Sequence, residues 1–537
     1  MIHFIPFDSI VGILSSFGCA LLTIVLFSVY YVKKYTNPVD STKETTITAI
    51  TSLVIALLTC SLLPIDIFIV SSMKYPNGTF KEWASNETIR NHFENQVLYS
   101  YYSVYSLIFV FIFVILPFMY FYYEEREITF DSNPFFRSLK RTILVELIFI
   151  ILVSCYFLIT TLYLKPGPNT HQNETWIDKF KNIIDELEKN SGEDTISILL
   201  NILTFFGVSI VAFYTAFGMF SWPINWIKGT KSARNQMQEI EDRHLNNAFN
   251  INCLREKLRT TGHLTDSELN RLNRLEEQER RTNIEERFVN SYRNSLFYRF
   301  RYLIRPIQIF SGIIILLISL LIWISLTITN VDKALHSVGW KMGFVLNNAT
   351  LPNPIDLILS QMQKIYPMDY IFVLMLSFSL VIYTMSGFQN IGMRYLCVQF
   401  YKIVPGKTAP QALLFLFALI MLAILGMNIL FFSAFPHYAT YGSQYFQEQT
   451  IVNNTITLLT KKCQLDSPQD ACTVTRMSAL LLRFFYKANL FGIFYYCMMW
   501  VFLIVSLGSF VYVTFKPKQT ITEELLGDMD DFEEEIY

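Results

Sequence analysis

Residues 411–435 read QALLFLFALIMLAILGMNILFFSAF, twenty-five positions without a charged side chain. A bilayer core is crossed by about 20 mostly apolar residues in helical form, so the run is long enough to span. Hydrocarbon offers no water to backbone N–H and C=O groups, which leaves the helix and the closed barrel as spanning solutions. This stretch is twice a barrel strand in length and does not alternate, which makes it a helix. Eight more runs share its character: Ile10–Val32, Ile47–Val70, Tyr99–Tyr122, Ile143–Tyr163, Ile196–Phe220, Pro306–Ile328, Tyr370–Gly387 and Leu490–Phe515. The expected fold class is therefore all-α, a polytopic integral membrane protein with about nine transmembrane helices and a cytoplasmic helical segment.

Composition agrees through charge more than through apolar content. Across 537 residues, Asp, Glu, Lys and Arg make up 16%, against about 25% in soluble domains, and the mean hydropathy is +0.34. With 43 Lys and Arg against 44 Asp and Glu there is no basic surplus for phosphates, so a nucleic-acid partner is not expected and a lipid bilayer is.

An odd number of spans puts the termini on opposite sides. The first nine residues hold no Lys or Arg, and Lys33 and Lys34 follow the first span, which favours the N-terminus outside and no leader cleavage. On that orientation 28 of the 43 basic residues fall in cytoplasmic loops, yet sixteen of these sit in one segment, so the charge bias alone is weak. Sequons supply the independent argument, because only lumenal loops are glycosylated. Asn77, Asn86, Asn173, Asn348 and Asn453 all fall in loops on the non-cytoplasmic side. The expected topology has a lumenal N-terminus and a cytosolic C-terminus, with membrane helices over 1–227 and 306–515, a charged helical segment at 228–305 and an acidic tail at 516–537.

Of eight cysteines, Cys19, Cys60, Cys155 and Cys497 lie in spans and Cys253 and Cys397 face the reducing side. Cys463 and Cys472 share one lumenal loop, nine residues apart, and are the expected disulfide. The segment 228–305 carries sixteen Lys and Arg and eleven Asp and Glu. Within it Thr265-Asp-Ser-Glu268 has capping-box form with Leu264 and Leu269 placed as a staple, so a helix should start there. Leu269, Leu272 and Leu275 form a narrow apolar stripe suited to a helical hairpin, to a solvated spacer or to a docking surface.

Phosphate-binding loops, HExxH and GxSxG are missing, and no zinc-type Cys/His spacing occurs, so an enzyme is not expected, nor a metal or catalytic cofactor. Two acids stand inside spans. Asp66, just after Pro64 near the lumenal end of the second span, is a candidate transport-path acid if it faces a polar cavity, and an outward-pairing interfacial group otherwise. Glu146, one turn into the fourth span, reads as interfacial. His336 and His437 read as solvated loop residues. Tyr401-Lys-Ile-Val404 has the Tyr-x-x-apolar form of a sorting motif, with membrane-proximal packing as the alternative.

The runs LLPIDIFIVSSMK (62–74), NGTFKEW (77–83), PFMYFYYEE (117–125), YTAFGMFSWPINWIKGTKSA (214–233), PQALLFL (410–416), YGSQYF (441–446) and CTVTR (472–476) resemble the limb-region membrane protein family, in its lysosomal cobalamin-transport branch. The likeness extends from the first span to the last. It implies a lysosomal membrane protein needed to export cobalamin, a cobalt-containing vitamin, from lumen to cytosol beside an ATP-driven transporter, as a transporter itself or as an escort. It transfers no ligand residues. A cell-surface endocytic receptor for a secreted carrier protein is the alternative, and the longest outer loop, 436–489, is small for that role.

Overall fold

The computed structural model describes residues 7–163 and 193–521, apart from 39, 76, 129–132, 264, 295, 338, 340–343, 345–350, 366, 396–397, 453–454, 464–466, 468–470 and 488. Asn173, Asn348, Asn453, Cys397, Leu264 and the tail beyond Ile521 lie outside the described residues.

The chain runs through α1 (Phe7–Tyr35), α2 (Lys43–Ser72), α3 (Glu87–Val110), α4 (Leu116–Ile128), α5 (Pro134–Tyr163), α6 (Glu193–Ile210) and α7 (Ala216–Lys228). It continues through α8 (Ala233–Thr261), α9 (Asp266–Asn294), α10 (Leu296–His336), α11 (Pro354–Met362) and α12 (Met368–Ile391). Next come a short hairpin, β1 (Met393–Tyr395) and β2 (Val398–Tyr401), then α13 (Pro410–Ala434) and α14 (Pro436–Tyr441). A longer hairpin follows, β3 (Tyr445–Val452) and β4 (Thr455–Lys462), then α15 (Arg476–Lys487) and α16 (Asn489–Phe515).

Among the described residues eight helical stretches are long and apolar enough to cross a membrane. They coincide with eight of the expected spans, and the fourth expected span lies within α5. The seventh, only 18 residues in the sequence pattern, is a 24-residue helix that gains Met368 and buried Asp369 at its start and Phe388–Ile391 at its end, where Phe388 is fully enclosed. Two β-hairpins interrupt the helical pattern outside the spans, both antiparallel.

α13 is the central helix, packed by α6, α2, α4 and α12. It is apolar all round, as a helix buried by neighbours must be, and Leu416, Phe417, Ile420 and Leu430 are fully enclosed. α5 packs against α4 and leaves Ile143, Leu144 and Ile148 at least half exposed, as a lipid-facing helix would. Glu146 lies half-buried on this helix.

Without a hydrophobic force between helices in lipid, small residues govern close approach. α6 and α13 meet at Gly207 and Gly426, where a Cβ on Gly207 would stand 2.1 Å from the Leu422 carbonyl oxygen. α7 and α12 meet at Gly218 and Gly387, where a Cβ on Gly218 would stand 1.7 Å from the Tyr383 carbonyl oxygen. Between α6 and α7 the helix widens into one π-turn, Val211–Thr215. That turn brings Tyr214 flat onto Phe388, centroids 4.0 Å apart, and the Thr215 and Thr384 hydroxyls within 2.7 Å. A second π-turn, Phe111–Ile115, links α3 to α4.

Loops gather by end. At one end the segments after α2, α10 and α13 meet in a cap described below. At the other, α8 and α9 form an antiparallel hairpin. Cations close two helix C-termini there: the Lys228 ammonium donates to the carbonyls of Val513, Thr514 and Lys516 at 2.6–2.8 Å, and Arg305 donates to Trp226 and Ile227 at 2.9 and 2.5 Å. The hairpin is held by ion pairs across it, Arg243 to Glu285 at 2.6 Å and Arg255 to Glu276 at 2.7 Å, and by a hydrogen bond between His244 and Glu279 at 2.6 Å. Thr265 opens α9, its amide donating to the Glu268 carboxylate at 3.2 Å. Lys257 and that amide pull the Glu268 carboxyl down to about 2. Of the leucine stripe only Leu272 is buried; Leu269 is 48% exposed, so polar pairing holds the hairpin more than a leucine seam does. The chain returns to the hairpin's base at Ile521, enclosed by Ala233, Ile240 and Val289, with its amide donating to Gln236 Oε1 at 3.0 Å.

Gly218→Ala should therefore separate α7 from α12 and cost at least about 1–3 kcal/mol, seen as reduced folded yield and a lower Tm in detergent. Gly508→Ala on α16, where a Cβ meets nothing within 4 Å, should leave both unchanged.

Candidate functional site

Three short elements, α14, the β3–β4 hairpin and α15, cover the end of the bundle at which α2 finishes and α3 begins. A helix that starts in a buried layer presents N–H groups that water cannot reach, and each must find an acceptor. Side-chain carboxylates and amides of the surrounding helices provide them.

Asp66 does so for α15. It is 1% exposed, and its Oδ2 accepts the Met477 amide at 3.0 Å and the Tyr101 hydroxyl at 3.4 Å. Tyr105, one turn along α3, donates to the Met477 sulfur at 3.4 Å and accepts from Asn428 in the middle of α13 at 3.1 Å. Arg476 pairs with Glu94 of α3. The carboxylate that the sequence leaves open between a polar cavity and an interfacial pairing is engaged by a helix start and a tyrosine. Pro64, two residues earlier, sits inside an unbroken α2.

Asp356 in α11 does the same for α14. Its two oxygens accept the amides of His437 at 3.3 Å and Tyr438 at 2.9 Å. The Tyr438 hydroxyl in turn donates to Asp369 of α12 at 2.6 Å, and burial first, then that bond, holds the Tyr438 hydroxyl well above its ordinary range. Asn353, the cap of α11, accepts from Ser325 at 2.5 Å and donates to Thr329 and to the Ala434 carbonyl at 3.0 and 2.9 Å, fastening α10 to the end of α13. His437 is partly buried, unlike the solvated residue that a loop position suggests, whereas His336 is exposed at the end of α10, 2.8 Å from Asp332.

The rest of the cap is tied to α2. Ser71 accepts the Ser443 amide at 3.0 Å, and Lys74 donates to the carbonyls of Tyr445, at 3.2 Å, and Ala471. Burial, with Arg90 second, lowers the Lys74 ammonium to about 8. Gln444, almost fully enclosed, bridges the Tyr441 carbonyl and both backbone groups of Thr473 at 2.7–3.1 Å. A disulfide joins Cys463 to Cys472 at the foot of β4, packed with Tyr441 and Phe446.

The remaining sequence candidates fall on both ends. Asn77 and Asn86 are exposed at the cap end, and Gln447 of β3 donates to the Asn77 carbonyl at 3.0 Å. Asn86 also caps α3. Tyr401 and Val404 lie at the hairpin end: the Tyr401 hydroxyl shares a 2.8 Å hydrogen bond with Tyr120, and Val404 is 9% exposed. An adaptor would have to draw both out of the fold, which favours membrane-proximal packing over a sorting signal. Asp356, Asp369, Asn353 and Gln444 escaped the sequence reading, because polar residues at loop edges look solvated until their partners are placed. Among the described residues no three His, Cys, Asp or Glu converge to hold a metal ion. An apolar crevice of about 270 Å³ opens between α1, α2 and α12, lined by Ile24, Phe27, Leu57, Phe378 and Met385.

A bundle of membrane-length helices, clamped by buried carboxylates at one end and extended by a charged helical hairpin at the other, defines a polytopic α-helical membrane protein. Within that class the chain belongs to the family of LMBR1-like membrane proteins, which matches residues 14–285. It is similar to the lysosomal cobalamin transport escort protein LMBD1 of Danio rerio, 35% identical over 99% of this chain and 98% of the relative. It is also similar to the Homo sapiens protein of that name, 35% identical over 97% and 96%. A probable lysosomal cobalamin transporter of Nematostella vectensis is 34% identical over 97% of both chains. No solved structure matches.

The cap should respond to pH in two opposed steps. Burial pushes the Asp356 carboxyl up from 3.8 to about 7 against the amides of Tyr438 and His437 and the charge of Lys462. A raised carboxyl is protonated more readily when folded, so its contribution is full below about 4 and is lost as pH rises through about 7. Burial holds the His437 imidazole below 6.5, so its contribution is present above 6.5 and is lost as pH falls below that. The Tm should rise by a few degrees from pH 8 to pH 6.5 and then level or fall. Asp356→Asn should remove the rise and His437→Gln the fall; a wild-type profile in Asp356→Asn would refute the assignment.

Proposed function

We propose that this chain serves the export of cobalamin from lysosome to cytosol as a membrane escort of an ATP-driven transporter, with the cap in the lumen and the α8–α9 hairpin in the cytosol. The observation that carries the reading is the near-complete colinearity with relatives named for lysosomal cobalamin transport, which includes the cap, the spans and the hairpin alike. Two features favour escort over conduction. Asp66, the intramembrane acid best placed for a transport path, is consumed in capping α15. The crevice between α1, α2 and α12 offers hydrocarbon walls, and its one hydroxyl, on Thr23, already donates to the Ala20 carbonyl. At about 270 Å³ it falls below the ~300–1,000 Å³ usual for drug-sized ligands, and a corrinoid fringed with amides is larger and far more polar.

The two Asp66 variants separate the roles. Asn keeps an oxygen for the Met477 amide, whereas Ala leaves that buried N–H unpaired at about 1–3 kcal/mol. In cells lacking this chain, lysosomes should retain cobalamin; Asp66→Asn should restore release and Asp66→Ala should not, with its folded yield reduced. The purified chain alone in liposomes should not move labelled cobalamin. Transport without a partner, or failed export by correctly delivered Asp66→Asn, would return the reading to a conductor with Asp66 on its path.

Orientation rests on the exposed sequons at Asn77 and Asn86 beside the disulfide-bearing loop, opposite the basic hairpin. Glycosidase treatment should increase mobility, and Asn77→Gln and Asn86→Gln should each reduce that shift. Glycosylation of a sequon engineered into the turn at Gly262 and His263 would reverse the assignment.

A further inference from the structure

α1 and α12 both pack on α2, and the crevice of about 270 Å³ opens between them. Leu57 of α2 forms its floor, and Ile24, Val381 and Met385, all buried, form walls of fixed shape. Thr23 and Phe27 on its rim are exposed, so it is open toward lipid. Water has no place there, because the Thr23 hydroxyl is already bonded to the Ala20 carbonyl. An apolar chain in the crevice recovers the contacts that an empty space forfeits.

The occupant is indicated by the groups that follow along α1 toward the hairpin end. One turn beyond Phe27 and Met385, the Gln389 side-chain amide of α12 donates to the Tyr31 hydroxyl of α1 at 3.1 Å. Among the described residues that hydroxyl has no acceptor for its own proton. Lys34 follows on the face of α1 that carries Phe27, seven residues and two turns away. It is exposed and, among the described residues, pairs with no carboxylate; its ammonium stands 5.6 Å over the Tyr35 ring. Lys33 beside it is exposed as well. At ~1.5 Å per residue, Lys34 lies about 10 Å along the helix from Phe27 and about 16 Å from Thr23. The crevice therefore reaches the middle of a hydrocarbon core about 30 Å thick.

Cation, hydroxyl donor and apolar crevice follow one another in that order. A phospholipid presents the complement in the same order: a phosphate, an ester carbonyl that accepts but cannot donate, and an acyl chain. Two adjacent lysines without a paired acid favour a headgroup of net negative charge. A sterol offers one neutral hydroxyl and nothing for Lys34. We infer that the crevice between α1, α2 and α12 is a site for one anionic phospholipid. Its acyl chain lies against Leu57, Ile24 and Met385, an ester carbonyl accepts from Tyr31, and the headgroup rests on Lys34.

The full chain in phosphatidylcholine nanodiscs, doped with phosphatidylserine that carries a diazirine midway along one acyl chain, tests the site. Irradiation should label peptides holding Phe27 and Ile382. Lys34→Gln should lower that labelling about fivefold, the factor that about 1 kcal/mol for one lysine at a charged surface gives. A diether analogue, which has no ester carbonyl, should label the parent chain less than the diester does, and the two should label Tyr31→Phe equally. Ile24→Trp, which fills the crevice, should remove the label there and keep it at lipid-facing Leu317 on α10. Equal labelling by phosphatidylcholine bearing the same diazirine, unchanged in Lys34→Gln, assigns the crevice to bulk lipid and overturns the proposal. Labelling by a diazirine sterol that phosphatidylserine fails to displace overturns it too.

Discussion

Every part of this molecule answers one requirement: a backbone polar group away from water must be paired. Inside the spans the α-helix meets it by itself. The difficulty moves to helix ends, and it is greatest where a helix begins or stops against other protein. α14 and α15 both begin under the cap, and their first amides are received by Asp356 and Asp66. At the opposite end the last carbonyls of α7 and α16 are received by Arg305 and Lys228. Acids meet helix N-termini at one end and bases meet C-termini at the other, as the helix dipole favours.

This division gives the two ends different characters. The cap is fastened to α2, α3, α10, α11 and α12 through side chains that are nearly all buried, so its parts hold one another in place. The hairpin is bound across its length by partly exposed ion pairs, each weak singly, and depends more on its base, where Gln236 and Ile521 are enclosed. The buried carboxylates Asp66, Asp356 and Asp369 are each engaged by an N–H or O–H donor.

Much of this was legible beforehand, and for a physical reason. Hydrocarbon excludes charge, so the positions of the spans were written in runs such as 411–435, and the start of α9 was written in Thr265 and Glu268, because a capping box is local. Asp66 stands out in the sequence as an intramembrane acid, but its surroundings are left open there between a polar cavity and an interfacial pairing. Its partner Met477 is 411 positions away, and nothing local distinguishes an acid facing a cavity from one capping a distant helix. The leucine stripe at 269–275 left hairpin, spacer and docking surface open, and the hairpin that forms covers Leu272 but not Leu269, since which side of a helix is covered depends on where its partner lies.

The sequence by itself determined that the chain crosses a membrane repeatedly, where it crosses, which loops carry sequons and to which family it belongs, because hydropathy, local caps and long motifs need only neighbours in the chain. Tertiary structure alone decided how helices come within reach at Gly207 and Gly218, which acids are spent on helix starts, and where a crevice opens between α1, α2 and α12. Those outcomes depend on contacts between segments hundreds of residues apart, and no local pattern records which donor a buried acceptor will meet.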